Sequence, residues 1–333
     1  GKSCSRGCRR NMGERMKIVV LERSSVGEDV SVDEFQKYGE VTYYSVTSND
    51  QVAERIRDAD IVVSNKARMD AETMGGATRL KLVCQFATGY DNVDIGYCRE
   101  RGIRVVNVRN YSTAVVVQHT FALALSVLEN LPYYDGYVKS GAYSRQTRFT
   151  HYEKTFYELE GKTWGIVGMG NIGRRVAAAA QAFGCRIIFY SASGKSACQD
   201  YEQVDFDGLL RRSDILSLHC PLSERTRHLM DASAFERMKK EAILINVARG
   251  AVVDTRALAE ALLAGKIRGA GLDVYEKEPM SPDDLLLSVA DTGKLQMTPH
   301  MAWASTEARE RCVSETCRNI EAFLGGEERN IVV

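Results

Sequence analysis

TWGIVGMGNIGRRVAAAAQAFGCRIIFY, residues 163–190, decides the fold. A short apolar run (163–168) turns at GMGNIG (168–173), continues as an alanine-rich helical stretch (171–184) and ends in a second apolar run (185–190). Strand, turn, helix, strand is a βαβ unit, and its two strands lie parallel. The glycines have separate duties. Gly168 makes the tight turn, Gly170 lets the backbone approach a pyrophosphate, and Gly173 lets helix and strand pack closely. Asn171 and Ile172 open the helix, whose N-terminus faces the anion. The stretch therefore predicts a dinucleotide site.

The residues just past the second strand bear on which dinucleotide. An NAD site places Asp or Glu there for the ribose hydroxyls. Here the chain reads Tyr190-Ser191-Ala192-Ser193-Gly194-Lys195, with no carboxylate. The hydroxyls of Ser191 and Ser193 and the Lys195 ammonium could bind a 2′-phosphate. Alternatively Ser191 bonds the ribose and Lys195 is solvated. The reading leans toward NADP and leaves NAD open.

The same alternation extends in both directions. Downstream come DILSLH (214–219), AILINV (242–247) and RGAGLDV (268–274), with a helical stretch at 254–266. Upstream come KIVVLE (17–22), VTYYSV (41–46), DIVVSN (60–65), LKLVCQF (80–86) and IRVVNV (103–108). Runs apolar throughout are strands buried on both faces of a parallel sheet. Between the two series lies a long apolar helix (112–131), stopped by Pro132 and expected to be buried on most faces. A linker-like, tyrosine-rich arm (132–159) follows, and an amphipathic helix (306–326) closes the chain. The fold class is α/β: two Rossmann-like, doubly wound parallel-sheet domains.

Composition narrows the partners. The 333 residues are 44% hydrophobic and 26% charged, ordinary for a globular chain. Lys+Arg and Asp+Glu are both 44, and this zero balance argues against a dedicated nucleic-acid binder. No apolar run has the length of a membrane span, and the Arg-rich start carries no apolar signal core. The nine scattered cysteines read as thiols of a cytoplasmic protein. Their spacing suggests no metal site. Residues 1–15 read as a tag or a disordered upstream extension.

Three further segments fall at strand ends, where open α/β sheets bind ligands. They are INVARG (245–250), GLDVYEKEP (271–279) and TPHMAWAS (298–305). They contribute an Arg, a Glu and a His beside a nicotinamide site. Arg249 can clamp a carboxylate through its fork. His300 can give a carbonyl oxygen its proton as hydride reaches carbon. Glu278 can orient His300 and favour its acid form.

With these motifs the chain resembles the D-isomer-specific 2-hydroxyacid dehydrogenases over residues 16–333. The matching segments are GMGNIG, HCPLSERTRHLM (219–230), NVARGAVVD (246–254), GLDVYEKEP and TPHMAW. The resemblance implies that Arg249, Glu278 and His300 are catalytic. It implies that the cofactor lies against His219, Cys220 and Pro221, with Asp273 facing its carboxamide. Thr226, Val247 and Ala248 complete the expected cofactor contacts. ATGYDNVD (87–94) matches a loop whose Thr88 and Gly89 N–H groups cradle a substrate carboxylate. Lys66 and Trp303 look like the versions in glycerate dehydrogenases and hydroxypyruvate or glyoxylate reductases. The expected domains are a discontinuous, flavodoxin-like substrate domain (16–111 with 302–333) and a dinucleotide-binding domain (112–301). A homodimer through the 112–131 helix and the following arm is also implied. The expected activity is NAD(P)H-dependent interconversion of small 2-keto acids and D-2-hydroxy acids. Alternatives are a bulkier 2-keto acid or a non-catalytic, dinucleotide-sensing corepressor.

Overall fold

A computed structural model describes residues 15–194 and 196–333. The expectations for residues 1–14, including Cys4 and Cys8, and for Lys195 lie outside the described residues. Contacts divide the chain into two compact units. One runs to Tyr111 and resumes over Ala304–Val333; the other is Ser112–Trp303. The second break falls two residues beyond the expected 301/302 border. The Ala302 N–H donates to Asp273 Oδ2 at 2.8 Å, and Trp303 Nε1 donates to the His300 carbonyl at 2.9 Å. Those bonds hold both residues in the second unit.

The first unit contains β1 (Lys17–Val20), β2 (Glu40–Tyr43), α1 (Asn49–Arg55), β3 (Ile61–Ser64), α2 (Ala71–Met74), β4 (Leu82–Gln85), α3 (Ile95–Arg101) and β5 (Arg104–Val106). The sheet order is β2-β1-β3-β4-β5, all parallel, which is the flavodoxin-like order. Central strands β3 and β4 are buried at every residue, whereas edge strand β2 is not. That contrast follows from helices covering both faces of an inner strand. The C-terminal helix (Thr306–Gly325) joins this unit and buries Cys312, Cys317 and Ile320. The chain end then returns to β5, where the Val105 N–H donates to the Val333 carbonyl at 2.9 Å.

The second unit contains α4 (Thr113–Leu128), α5 (Leu131–Lys139), α6 (Ala142–Arg145), β6 (Thr163–Val167), α7 (Asn171–Ala182), β7 (Arg186–Tyr190), β8 (Glu202–Gln203), α8 (Phe206–Arg212), β9 (Ile215–Leu218), α9 (Ala232–Arg237), β10 (Ile243–Asn246), α10 (Thr255–Leu263), β11 (Gly269–Leu272), α11 (Leu285–Val289) and β12 (Leu295–Met297). Its parallel sheet runs β12-β11-β10-β9-β6-β7-β8. The strand order reverses between β6 and β9, and a doubly wound sheet binds its ligand at such a switch point. Trp164 on β6 is fully buried, donates to Ser217 Oγ at 2.8 Å and meets the Phe121 ring of α4 at 4.7 Å. Burial of such a side chain contributes about 1.5–3 kcal/mol and fixes α4 on the sheet.

The expected single helix over 112–131 is corrected to two helices. The break comes at Asn130, in the left-handed region with φ +54°. Pro132 does not stop a helix; it sits in the first turn of α5, where its missing N–H costs nothing. The arm is thus partly helical. Nor is α4 buried on most faces within one chain: Ala114, Gln118 and Ala122 are exposed and Leu125 is half-buried. Among the described residues no single helix is long and apolar enough to cross a membrane.

Candidate active site

The glycine turn is built by close approach. Gly168 has φ +90°, and a Cβ there would lie 2.5 Å from the His219 carbonyl oxygen. A Cβ on Gly173 would lie 2.1 Å from the Gly168 oxygen. A Cβ on Gly170, the residue capping α7, would meet nothing within 4 Å. An open cradle backed by the N-terminus of a twelve-residue helix fits a dinucleotide pyrophosphate. Asn171 and Ile172 form the first turn of that helix.

Past β7, Ser191 Oγ lies 3.2 Å from Ser193 Oγ. Past β9, His219 Nε2 shares a 2.9 Å hydrogen bond with Ser217 Oγ. Burial pushes the His219 imidazole down to about 3, so the ring is neutral at pH 7. Burial pushes the Cys220 thiol up to about 11, which makes it an apolar filler and no nucleophile at neutral pH. Thr226 is 2% exposed and donates to the Pro221 carbonyl at 2.7 Å, closing this loop.

Past β10, the Asn246 amide shapes the turn that carries Arg249. Its Nδ2 donates to the Arg249 carbonyl at 2.9 Å, and its Oδ1 accepts the Ala248 N–H at 3.0 Å. Val247 is half-buried beside them. The exposed Arg249 guanidinium donates to the Ala248 carbonyl at 2.8 Å and pairs with no carboxylate among the described residues. A Cβ on the next residue, Gly250, would sit 1.9 Å from the Tyr275 carbonyl carbon. The Arg249 turn is therefore pressed against the loop that follows β11.

That loop brings Glu278 to His300. Glu278 Oε2 lies 2.6 Å from His300 Nδ1, while Oε1 accepts the Tyr275 N–H at 3.0 Å. The Tyr275 hydroxyl donates to the Thr298 carbonyl at 2.8 Å, and burial pushes it up to about 12. It remains a donor at any ordinary pH and ties the two loops together. His300 itself has φ +52°, so its ring departs from a backbone position that few non-glycine residues adopt. Asp273 holds that position. It is 1% exposed and takes the Thr298 hydroxyl at 2.7 Å and the N–H groups of Met301 and Ala302, each at 2.8 Å. The expected carboxamide contact is thus also the anchor of the His300 loop. Trp303 braces the same loop through its bond to the His300 carbonyl.

Lys66, Thr88 and Gly89 lie in the other unit, on loops after β3 and β4. Glu22 organises the first loop: its carboxylate accepts the N–H groups of Asn65 at 2.6 Å, Lys66 at 2.9 Å and Ala67 at 3.1 Å. The Lys66 side chain is exposed. Thr88 Oγ1 donates to the Val108 carbonyl at 2.7 Å, but the Thr88 and Gly89 N–H groups donate to no other described group. Asn92 Nδ2 donates to the Ala67 carbonyl at 2.8 Å and so links the two loops, while its Oδ1 accepts from Gln85 Nε2 at 2.6 Å.

Sequence reasoning missed four of these residues. His119 of α4 is 14% exposed on its side chain and reaches Thr298 Oγ1 at 2.9 Å, behind Asp273. Glu22, Asn92 and Tyr275 brace loops from a distance. Nothing in the chain's local pattern assigns them these contacts, although Tyr275 lies inside the GLDVYEKEP motif and Asn92 inside ATGYDNVD.

The sequence profile described as "D-isomer specific 2-hydroxyacid dehydrogenase, NAD binding domain" matches residues 121–302. A glycerate dehydrogenase of Methylorubrum extorquens is 36% identical over 95% of this chain and 98% of its own length. A glyoxylate reductase of Thermococcus litoralis is 40% identical over 82% and 83%. The crystal structure of the TT0316 protein from Thermus thermophilus superposes with a TM-score of 0.86 at 33% identity, covering 96% of this chain and all of that one.

Proposed function

The chain belongs to the D-isomer specific 2-hydroxyacid dehydrogenases, oxidoreductases that use a nicotinamide dinucleotide, and on that premise we propose that it reduces hydroxypyruvate and glyoxylate. The observation that carries the chemistry is the 2.6 Å pair of His300 and Glu278, with Arg249 on the neighbouring strand end. The names of the relatives favour the two substrates.

The residues divide the work as follows. A reduced nicotinamide, when bound, supplies hydride. Arg249 takes the substrate carboxylate and draws electron density toward the carbonyl oxygen. Glu278 occupies His300 Nδ1, which leaves Nε2 as the ring nitrogen that gives the carbonyl oxygen its proton. In the opposite direction Nε2 accepts the hydroxyl proton. The unshared N–H groups of Thr88 and Gly89 suit a carboxylate oxygen, Lys66 adds positive charge, and Trp303 offers an apolar wall.

Gly168, Gly170, Asn171, Ile172 and Gly173 hold the pyrophosphate; His219, Cys220, Pro221, Thr226, Val247 and Ala248 line the rest of the cofactor. Asp273 meets the carboxamide while anchoring the His300 loop. Ser191 and Ser193, with no acid beside them, favour NADP over NAD. The enzyme works as a cytoplasmic homodimer: the seven described cysteines are buried thiols, and Phe149 of the arm is 86% exposed, with Val138, Tyr152 and Phe156 exposed alongside.

Initial rates of NADPH and NADH oxidation, side by side, test the reading. The acceptors are hydroxypyruvate, glyoxylate, pyruvate and a branched 2-keto acid. Fastest turnover of hydroxypyruvate or glyoxylate with NADPH is expected. Preference for the branched acid overturns the substrate assignment, and faster rates with NADH overturn the cofactor preference.

A further inference from the structure

The loop after β9 reaches across β6 to the loop after β7, and it carries an arginine with it. Arg225 Nη1 stands 3.5 Å from the carbonyl oxygens of both Ala192 and Ser193. The turn that delivers it is rigid. Thr226 Oγ1 donates to the Pro221 carbonyl at 2.7 Å and accepts the Ser223 N–H at 2.8 Å, and the Arg227 N–H closes on the Ser223 carbonyl at 2.9 Å. Arg225 itself is exposed and forms no ion pair with a carboxylate among the described residues. Its two carbonyl contacts lie at the outer limit of hydrogen bonding, so they hold the guanidinium weakly.

The loop it approaches has a particular chemistry. Residues 190–194 contain two serine hydroxyls and no acid. A guanidinium fork added to two hydroxyls is a donor set suited to a phosphomonoester, and an arginine binds such a group bidentately where a lysine acts as a point charge. We propose that Arg225 is a specificity-determining residue that recognises the phosphate on the adenosine ribose of the cofactor. This rests on the dinucleotide reading above. It moves the main charge for that phosphate off the β7 loop and onto the turn after β9.

The test uses adenosine nucleotides alone, so that it reads binding and not turnover. Calorimetry measures 2′,5′-ADP and 5′-AMP against the unaltered protein, Arg225→Ala and Arg225→Lys. The unaltered protein is expected to prefer 2′,5′-ADP. Arg225→Ala should weaken 2′,5′-ADP about ten-fold or more, the size of a lost charged hydrogen bond. It should leave 5′-AMP unchanged, and Arg225→Lys should restore part of the difference. Equal weakening of both nucleotides would mean that Arg225 only shapes the loop, and the proposal falls. A 2′,5′-ADP preference that survives Arg225→Ala also overturns it, with NADP preference intact. A preference of the unaltered protein for 5′-AMP overturns the NADP reading itself, and the proposal with it.

Discussion

His300 Nδ1 lies 2.6 Å from Glu278 Oε2, and the other oxygen of that carboxylate is taken by the Tyr275 N–H. The imidazole is thereby held by a group that is itself held. His300→Ala should lower kcat for hydroxypyruvate by about 10²–10⁴, the usual weight of a general acid. Glu278→Gln has one acceptor oxygen for two donors and should lower kcat less, with little change in KM. Near-normal turnover of the His300 variant would refute the assignment.

Arg249→Lys should raise KM for the keto acid about ten-fold or more, because an ammonium cannot reproduce a bidentate clamp. Steady-state kinetics with hydroxypyruvate reads it. An unchanged KM would remove Arg249 from substrate binding.

Gly173→Ala places a methyl group 2.1 Å from the Gly168 oxygen, a backbone atom that cannot rotate away. Urea denaturation should show a loss of about 1–3 kcal/mol, and the dinucleotide should bind more weakly. Stability equal to the parent would contradict the packing described for β6 and α7.

Glu22→Gln leaves one acceptor where three N–H groups converge on a carboxylate. A loss of about 1.5–3 kcal/mol is expected by denaturant titration. KM for the keto acid should rise as the Lys66 loop loosens while kcat changes little, and an unchanged KM would remove Lys66 from substrate binding.

Cys220 should resist alkylation by iodoacetamide at pH 8, since its thiol is pushed up to about 11 by burial. Peptide mapping by mass spectrometry distinguishes it from the other cysteines. Rapid labelling of Cys220 in the folded protein would show that the loop after β9 is open to solvent.

How legible the site was depended on the range of each interaction. GMGNIG was readable because a tight turn and a close helix–strand approach are demands on adjacent residues. Arg249, Glu278 and His300 were readable as candidates because each sits in a short motif at a strand end. The helix break at Asn130 was not, since Pro132 is compatible with both the end of one helix and the start of the next. His119 was also invisible: its partner Thr298 is 179 residues away.

By itself, then, the sequence determined the two parallel sheets and the glycine turn, and it singled out Arg249, Glu278 and His300 as a candidate set, because apolar periodicity, glycine sterics and strand-end motifs act within a few residues. Only the tertiary structure decided what holds that set in place. Asp273 and Tyr275 anchor the His300 loop, Glu22 gathers the Lys66 loop, and Arg225 arrives at Ser193 from another strand's end. Each of those contacts joins side chain or backbone across a sheet, and strand order, which no local pattern records, brings them together.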